Sequence, residues 1–530
     1  MLKYLKGCVV GVAFSVGAAG VAWAETPKDT LVIASNLGDV ISFDPAEVYE
    51  ASGAMVTSSA YDRIMTFDPT DMETLIPGAI ESYEISDDGK VISLKVRPDT
   101  KFASGNPVRA EDIAFSLQRV VKLNLAPSFL LRQFGWDAEN VDAMVKVVDG
   151  NVTQITLNSE LSPALALNAL SSGIAAVVDK ETVLEHEVDG DLGNGWLKTH
   201  TAGSGAYDLR NFKAGELILM NWNENSRFPE PAMKRVAVRS VPEPAAQRLL
   251  LEKGDVDIAE SLSGDQLKGL DGKEGVKVVG YDTASQIYMS FNESNEILAN
   301  PKVQEAIRYA VDYQGLADTV LDGSYKVHQT FWPSGLWASY TETPFSLNVE
   351  KAKALLDEAG YPDGFKIKFE ALNYSPHKDI AQAVQSSLAQ VGIDAELSLS
   401  EAKSLYPRYR AREHELILSA WSPDFADPHS NADTIALNPD NADEAKLTGK
   451  LAWRNYWSDE KFNAMTLEAA SLKDADKRKA IYLEMQEEMM HDSPYVFMFQ
   501  RIGKYGARSS VEGYKHGPIF DQIYIYPTTK

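Results

Sequence analysis

Alternating hydrophobic and polar positions mark strands near the start of the chain. Residues 29–36 contain a short run of aliphatic side chains bounded by polar residues, which predicts a strand. Residues 83–97 contain two alternating segments around Asp88 and Gly89, a dipeptide typical of tight turns because glycine adopts positive φ without steric cost. A strand and then a hairpin are therefore expected in this region.

Segments with helical spacing alternate with strands in the rest of the chain. Residues 300–316 predict one helix with Pro301 in its first turn, where the missing amide hydrogen costs nothing. Residues 348–372 and 378–400 each predict a helix, a turn that contains glycine, and a strand. Two successive helix-to-strand units joined by short turns predict an α/β sheet.

Length and charge narrow the choice of architecture and of partners. The 530 residues exceed what one hydrophobic core serves, since cores stop growing at roughly 250–300 residues, so at least two lobes are expected. The 51 Lys and Arg residues against 76 Asp and Glu residues give a net charge of −25. This charge repels polyphosphates and anionic membrane surfaces, and nucleic acid is not an expected partner.

The N-terminus has the pattern of an export signal. Two lysines precede an uncharged run over residues 7–21, and Ala-Trp-Ala at 22–24 is typical of a signal-peptidase site. The run is shorter than the roughly 20 residues that a spanning helix needs, which disfavours the alternative of a membrane anchor. We predict cleavage after residue 24 and a periplasmic protein. Cys8 precedes most of the apolar run, so we expect no lipid on it and no cysteine in the mature chain.

Several longer segments resemble one protein family, and they occur in the family's order. The most specific lies at residues 77–121, with the hairpin "SDDGK", the stretch "VRPDTKFASGNPVRAEDIAFSL" and the arginine that follows it. Further matches are "GSGAYDL" (203–209), "LLLEKGDVDIA" (249–259), "VQEAIRYAVD" (303–312), "AKALLDEAGYPDG" (352–364) and "AWSPDFADP" (420–428). Together these segments resemble the family 5 extracellular solute-binding proteins of ABC importers, the oligopeptide and dipeptide group.

The resemblance implies an α/β fold of the two-lobed periplasmic binding protein type (class II, cluster C) with an additional domain. The implied division is lobe I at 25–66, 200–284 and 497–530, the additional domain at 67–199, and lobe II at 285–496. The chain is expected to cross between the lobes near 281–292 and 491–502, two strand-like segments without glycine-rich flexibility.

The resemblance also implies a monomeric protein without catalysis or cofactor, which captures a peptide or related amine-bearing solute and delivers it to an ABC permease. Opines, metal chelates and sugar conjugates are alternative ligands within the family. A secreted hydrolase is a second class of function, but the chain has no H-E-x-x-H or G-x-S-x-G motif. A periplasmic chaperone or receptor adaptor on the same fold is a third, which a test for small-ligand binding would separate.

The segment at 419–433 concentrates acidic residues and raises three hypotheses. A cation site is one, but the spacing matches no calcium loop and the two prolines stiffen the segment, so no metal is expected. Acid/base chemistry is another, although the sequence does not show carboxylates positioned around a substrate. The third is ligand capture by Asp424, which follows Ala420 and Trp421 at the spacing that peptide binders use for the ligand's ammonium. Asp427 and Asp433 are expected to be turn residues.

Other candidate ligand-binding residues are less specific. Trp421 either packs on the ligand or fills the core. His377 and Tyr374 fall in a strand-to-helix turn that faces the ligand in family members, although a lone loop histidine is often only surface. Ser52 and Gly53 fit a ligand-facing turn that offers backbone groups.

Two departures from the family pattern concern positive charge. Oligopeptide binders carry an arginine where Ser419 stands, and Ser419 is counted here as a ligand-binding candidate. Dipeptide binders place an arginine near Asn373 or Tyr374 to bind the ligand carboxylate, and this chain has none there. We also expect that Asp424 faces water and has no protein partner in the ligand-free state.

Overall fold

A computed structural model gives the structure of the chain and describes residues 26–71, 74–158 and 160–530. The predicted export signal and Cys8 lie outside the described residues. Within the described residues, none of the helices combines the length and the apolar character required to cross a membrane.

The strands are β1 Thr30–Ser35, β2 Met65–Phe67, β3 Leu75–Pro77, β4 Ile80–Ile85, β5 Val91–Val96, β6 Val145–Asp149, β7 Val152–Thr156, β8 Tyr207–Lys213, β9 Leu217–Trp222, β10 Arg235–Ser240, β11 Ile258–Ala259, β12 Val276–Phe291, β13 Tyr325–Val327, β14 Phe365–Leu372, β15 Ile393–Ser400, β16 Leu416–Trp421, β17 Tyr495–Arg508, β18 Lys515–His516 and β19 Ile523–Tyr524.

The helices are α1 Ala51–Ala60, α2 Ala110–Leu123, α3 Phe129–Arg132, α4 Val141–Met144, α5 Pro163–Ala169, α6 Lys180–Glu185, α7 Asn194–Leu197, α8 Pro244–Lys253, α9 Gly264–Lys268, α10 Pro301–Ala310, α11 Tyr313–Asp318, α12 Val349–Glu358, α13 His377–Gln390, α14 Ala402–Arg410, α15 His429–Ile435, α16 Leu451–Arg454, α17 Glu460–Ser471 and α18 Ala475–Met489. Short 3₁₀ turns occupy Ala126–Ser128, Gly173–Ala175 and Asp443–Ala445.

Most elements predicted from periodicity are present. The first predicted strand is β1, and the predicted hairpin is β4 and β5 with Gly89 at φ +77° in the turn between them. The two predicted helix-to-strand units are α12 with β14 and α13 with β15, and Gly360 after α12 takes φ +90°. Glycine is favoured at both positions because a Cβ atom strains the left-handed region.

The prediction of one helix over residues 300–316 is wrong. The helix ends at Ala310, where the next residue, Val311, is extended at φ −90° and ψ 129°. Asp312 then starts α11, because its carboxylate accepts a hydrogen bond from the Gly315 amide at 2.9 Å. A side-chain cap of this kind satisfies a free amide at a new helix start, and it divides a segment whose apolar spacing alone looks continuous.

The main sheet contains eleven strands and is mixed. Its order is β15-β14-β16-β12-β17-β11-β1-β10-β9-β8, and β13 pairs with β17 outside this path. β14 is parallel to β15 and β16, and β1 is parallel to β10 and β11, whereas the remaining pairs are antiparallel. The central strands β12 and β17 thus join a group around β14 to a group around β1, which we call the β14 side and the β1 side.

The two central strands change partners along their length. β17 pairs with β11 of the β1 side at Gly506 and Ala507, whereas β12 pairs with β16 of the β14 side from Gln286 onward. Between these regions the ladder of β12 with β17 shifts register, between Asp282 and Gln286. Such an irregularity bends a strand locally, and it lies where the sheet passes from one side to the other.

A separate four-stranded sheet, β4-β5-β7-β6, packs with α2 and α5 around its own hydrophobic core. A buried ion pair connects this unit to the β1 side: Arg119 of α2 donates two hydrogen bonds, of 2.7 and 2.6 Å, to the carboxylate of Asp44. Further cores lie around β1 with β8–β10 and around β14–β16 with α10 and α13. The hydrophobic interior is therefore divided, as the length of the chain requires.

Candidate ligand-binding cleft

A cavity of about 550 Å³ lies where the central strands change partners. Its wall includes Thr283, Ala284 and Ser285 at the register shift of β12, and segments that follow the carboxyl ends of β1, β11 and β16. Open α/β sheets place ligand sites outside the carboxyl ends of their strands, where loops leave the sheet. The cavity also has the size usual for small-molecule sites, about 300–1,000 Å³.

Charged groups of both signs line this cavity. Glu260 and His516 form a pair at 3.1 Å, and the Tyr281 ring stacks on the His516 ring with centroids 4.5 Å apart. Burial opposes ionisation of Glu260, but the charge and hydrogen bond of His516 outweigh it and leave the pKa of Glu260 below its ordinary value. Asp39 and Arg501 also line the cavity, and neither side chain has an ion pair or hydrogen bond within the described residues.

Asp424 borders the cavity from the β14 side. It follows β16 and lines a small adjoining cavity of about 10 Å³, and Phe520 forms part of the wall of both cavities. The Asp424 amide donates to Ser430 Oγ at 2.8 Å, which fixes the loop. Burial raises the pKa of the Asp424 carboxyl, the Tyr49 hydrogen bond lowers it, and nearby Asp433 raises it further.

The expectation that ligand-free Asp424 has no partner is wrong. Tyr49 precedes α1 on the β1 side, and its hydroxyl donates a hydrogen bond to Asp424 Oδ1. Tyr49 also packs edge-on against Phe520 with ring centroids 5.3 Å apart. The neutral Tyr49 hydroxyl therefore contacts the carboxylate that was expected to bind a ligand ammonium.

Other residues of the same loop also contact elements outside the β14 side. Phe425 is 4% exposed and packs in the core of the four-stranded unit. The Asp427 carboxylate accepts from Asn168 Nδ2 at 3.2 Å, and Asn168 belongs to α5 of that unit. The structure therefore has its two sides closed on each other around the loop at 424–427.

Asp427 and Asp433 have different roles from each other. Asp427 accepts from the His429 amide at 2.9 Å, as a turn residue does, but it is also fully buried and pairs with both Nη atoms of Arg478 at 2.6 and 2.5 Å. The turn prediction for Asp433 is wrong: it lies within α15 and pairs with Lys450 Nζ at 2.5 Å. Periodicity did not reveal α15 because it is short.

The geometry bears on the cation hypothesis for this loop. Asp427 and Asp433 are each paired with a basic side chain, and burial lowers the pKa of His429, so its neutral form is favoured. Within the ranges that the structure describes, no group of three His, Cys, Asp or Glu side chains is placed to share a metal ion.

Trp421 and Ser419 lie on β16 and not on the cavity wall. The Trp421 indole N–H donates to Asn431 Oδ1 at 3.1 Å, and its ring packs against the core beside α15. Ser419 is 2% exposed and lies opposite Tyr288 of β12. Their contacts in this closed structure are those of core residues, and a ligand role for either stays a prediction.

His377 and Tyr374 lie near each other, away from the cavity wall. His377 is the first residue of α13, is 8% exposed, and has no hydrogen-bond partner on either ring nitrogen within the described residues. Burial lowers its pKa. Tyr374 is 51% exposed and packs edge-on against the His377 ring at 5.7 Å between centroids. Their predicted ligand contacts stay a prediction.

The turn predicted at Ser52 and Gly53 is wrong, because both residues lie in the first turn of α1. Ser52 lines the cavity, and its hydroxyl donates to the Asn36 carbonyl at 3.2 Å. Gly53 does not line it: a Cβ atom there would lie 3.0 Å from the Ser42 carbonyl oxygen, so close packing explains the glycine. The serine and the glycine suggested a turn. The helix was missed because α1 is mostly buried and lacks the polar face by which a surface helix is predicted.

Sequence reasoning missed several polar residues of the site, among them Tyr49, Glu260, Arg501 and His516. Tyr49 stands within the segment at 48–55 that was considered for backbone groups alone. Glu260 directly follows the segment at 249–259, Arg501 lies within the segment at 491–502, and His516 follows β17. These three residues come together only through the long-range pairing of β11, β12 and β17. A search for charged residues beside the predicted crossing segments would have found Arg501.

A mixed sheet bridged by two long strands, with a cavity at the place where they change partners, defines a two-lobed solute-binding protein. Residues 74–443 match the family model described as bacterial extracellular solute-binding proteins, family 5 middle region. The chain belongs to this family, whose members are binding proteins rather than enzymes. The family resemblance and the two-lobed α/β fold predicted from the sequence are therefore confirmed.

Relatives and a solved structure match almost the whole chain. The probable D,D-dipeptide-binding periplasmic protein DdpA of Escherichia coli is 28% identical over 509 residues, 95% of each chain. Heme-binding protein A of Haemophilus influenzae is 26% identical over 515 residues, 91% of this chain and 90% of the relative. The solved structure of HbpA2 from Haemophilus parasuis has a TM-score of 0.81 at 22% identity, covering 94% of this chain and 99% of that one, which shows the shared fold.

Proposed function

We propose that this protein captures a peptide or related amine-bearing solute in the cleft and delivers it to the permease of an ABC importer. The observation that carries the proposal is the Asp424 carboxylate, placed at the edge of a 550 Å³ cavity and held across the cleft by Tyr49. A carboxylate in a water-poor cleft makes charge-assisted hydrogen bonds that favour a cation over a neutral group. A ligand ammonium therefore displaces the Tyr49 hydroxyl.

The dipeptide relative supports a peptide as the ligand, because the likeness to it spans 95% of the chain. The heme-binding relative, at 26% identity, shows that whole-chain likeness does not by itself fix the ligand. The choice therefore depends on the chemistry of the cleft, where Asp424 lines a small cavity that adjoins a larger one with serine and threonine hydroxyls on its wall. Opines, metal chelates and sugar conjugates are the alternative ligands, and a binding test would distinguish them from peptides.

The closing motion is proposed to bend the protein at the two central strands. The lobes are taken as 25–66, 200–284 and 497–530 for the first and 285–496 for the second, with 67–199 as the additional domain. The register shift between Asp282 and Gln286 supports this boundary, because strands bend where the ladder is interrupted. The separate hydrophobic cores on either side of the shift are consistent with parts that move as units.

The proposed setting is the periplasm, after removal of residues 1–24, with a monomer acting alone on its ligand. Support comes from the signal-like N-terminal pattern and from the periplasmic dipeptide relative. The protein carries out no catalysis in this proposal, and the permease subunits at the inner membrane perform the transport step.

Calorimetry and small-angle scattering together test the proposal. We expect a defined pool of di- and tripeptides to bind the purified protein, and the radius of gyration to fall at saturation as the cleft closes. Binding of a sugar or chelate pool with no response to peptides would contradict the peptide assignment. Peptide binding without any change in radius would contradict the closing cleft.

A further inference from the structure

A second cavity, of about 340 Å³, lies outside the cleft. Its wall is formed by the end of α1, the hairpin of β2 and β3, the segments before β8 and β10, and residues 521–527. These parts belong to different hydrophobic cores: Phe67 packs in the core beside α15, whereas Phe228 and Ile525 pack in the core around β1. Small-molecule sites occur preferentially where separately packed units meet, and the second cavity has such a position.

The charged groups on the wall of the second cavity are balanced and already paired. Asp62, Arg63, Arg227 and Asp521 are the charged residues that line it. Asp62 pairs with Arg227 at 3.0 Å, and Arg63 pairs with Asp521 at 3.3 Å. An ion that enters the cavity loses its hydration and finds no free opposite charge in return. The wall therefore favours a neutral molecule.

The apolar part of the wall is made largely of flat side chains. Aromatic rings and prolines contribute to it, namely Phe67, Phe228, Tyr524, Tyr526, Pro69 and Pro77. The rings of Phe228 and Tyr526 pack with centroids 5.0 Å apart, and aromatic side chains of this kind contact a ligand ring face-on or edge-on. A dry apolar cavity of about 150 Å³ accommodates one benzene ring, so about 340 Å³ has room for roughly two rings.

Two neutral hydrogen-bond donors on the same wall are unused. The Tyr524 hydroxyl and the Gln522 amide nitrogen have no hydrogen-bond partner among the described residues, while Gln522 Oε1 accepts from the Ile519 amide at 3.2 Å. The other tyrosines of this wall differ, because Tyr61 and Tyr526 each donate to a backbone carbonyl, at 3.3 and 3.0 Å. A carbonyl oxygen or a ring nitrogen on a ligand is the acceptor that such donors match.

We propose that the second cavity is a further ligand site, which binds a neutral molecule with about two aromatic rings and a hydrogen-bond acceptor. The paired charges disfavour an ion, the aromatic and proline side chains favour a flat apolar molecule, and the two free donors select the acceptor. The inference goes beyond the proposed function, since the second cavity shares only Ile523 with the wall of the cleft cavity. Its test is therefore independent of peptide binding.

Ligand-observed NMR titrations with three probes of similar shape test the proposal. Quinoline is neutral and carries a ring nitrogen as acceptor, naphthalene lacks the acceptor, and N-methylquinolinium is a cation. We expect wild type to bind both neutral probes, and to bind N-methylquinolinium at least about 10-fold more weakly than quinoline, because the cation has no free carboxylate on the wall. Equal affinity for quinoline and the cation, or no binding of any probe, would overturn the proposal.

Two variants locate the bound probe. Thr66→Phe places a ring inside the second cavity and should lower quinoline affinity at least about 10-fold, because the displaced ring surface is no longer buried. Thr156→Phe is the matched control, since Thr156 is also a half-buried strand threonine but does not line the cavity, and it should bind like wild type. Unchanged binding in Thr66→Phe, or an equal loss in the control, would contradict the location.

Tyr524→Phe tests the donor without filling the cavity. It keeps the ring and removes the hydroxyl, so quinoline should bind roughly 2-fold to 12-fold more weakly while naphthalene binds as before. An equal change for both probes, or none for quinoline, would overturn the selection of an acceptor by Tyr524. Peptide binding in the cleft is expected to persist in this variant, so failure of this inference and failure of the proposed function are measured separately.

Discussion

Replacing Asp424 with asparagine tests the residue on which the proposed function depends. The substitution removes the negative charge but keeps the shape of the side chain and one oxygen that accepts from the Tyr49 hydroxyl. The fold is expected to tolerate it, because the loop is also fixed by the Asp424 amide, which donates to Ser430. A ligand ammonium, in contrast, loses the only opposite charge that the proposal assigns to it.

The magnitude follows from the contacts of Asp424 before and after ligand binding. Removing one partner of a desolvated charge pair costs about 2–5 kcal/mol. The wild-type carboxylate gives up a charge-assisted Tyr49 hydrogen bond when the ligand arrives, whereas the variant gives up a weaker neutral one, and the two bonds differ by about 1 kcal/mol. We therefore expect a net loss near the lower end, about 2–3 kcal/mol, or roughly 30-fold to 150-fold in affinity.

Titration calorimetry with the pool of di- and tripeptides measures this loss, with Asp39→Asn as the matched control. Asp39 lines the cavity and has no partner within the described residues, so its removal changes the net charge equally. We expect less than about 1 kcal/mol from this exposed carboxylate. Unchanged binding in Asp424→Asn, or a large loss confined to Asp39→Asn, would refute the assignment of the ammonium to Asp424.

Three further predictions follow from the same contacts. Tyr49→Phe removes the competing donor, so ligand affinity should rise by about 1 kcal/mol, roughly fivefold, in calorimetry; weaker binding would mean that the hydroxyl contacts the ligand. Asp427→Asn leaves Arg478 buried without its carboxylate, and urea denaturation should show a free energy of unfolding lowered by about 3–5 kcal/mol, a result that an unchanged midpoint would contradict. Burial raises the pKa of Asp424, and a bound ammonium favours its ionised form, so affinity should be full above this pKa. The affinity should then fall on acidification from a pH above the ordinary aspartate value of about 3.9, and Asp424→Asn should abolish that part of the dependence.

Local sequence patterns predicted the elements but not all of their ends. Asp88 and Gly89 gave the hairpin, because positive φ at a glycine is a local property. The division between α10 and α11 was missed, since the cap made by Asp312 interrupts a segment whose apolar spacing continues. A side-chain cap is made by one or two residues, whereas apolar periodicity is a property of several helical turns. Periodicity therefore does not show where such a cap divides a helix.

The candidate site was predicted only in part, because its contacts join residues that are far apart in the sequence. Asp424 was found through the family resemblance, which gives a role to the aspartate shortly after Trp421, but its partner Tyr49 is 375 residues away in sequence. Arg501 and Glu260 meet at one cavity because β11 and β12 both pair with β17, and strand pairing between distant segments is not encoded in any single stretch. Asp427 looked like a turn residue because its ion pair with Arg478 is likewise non-local.

Native mass spectrometry of the protein purified from cells without refolding tests the central claim most directly. The account predicts a bound mass that matches a peptide or another amine-bearing solute and that is lost in the Asp424→Asn variant. A bound molecule without an amine, lost in the same variant, would contradict the account. So would a protein that carries no ligand and binds none of the peptide pool.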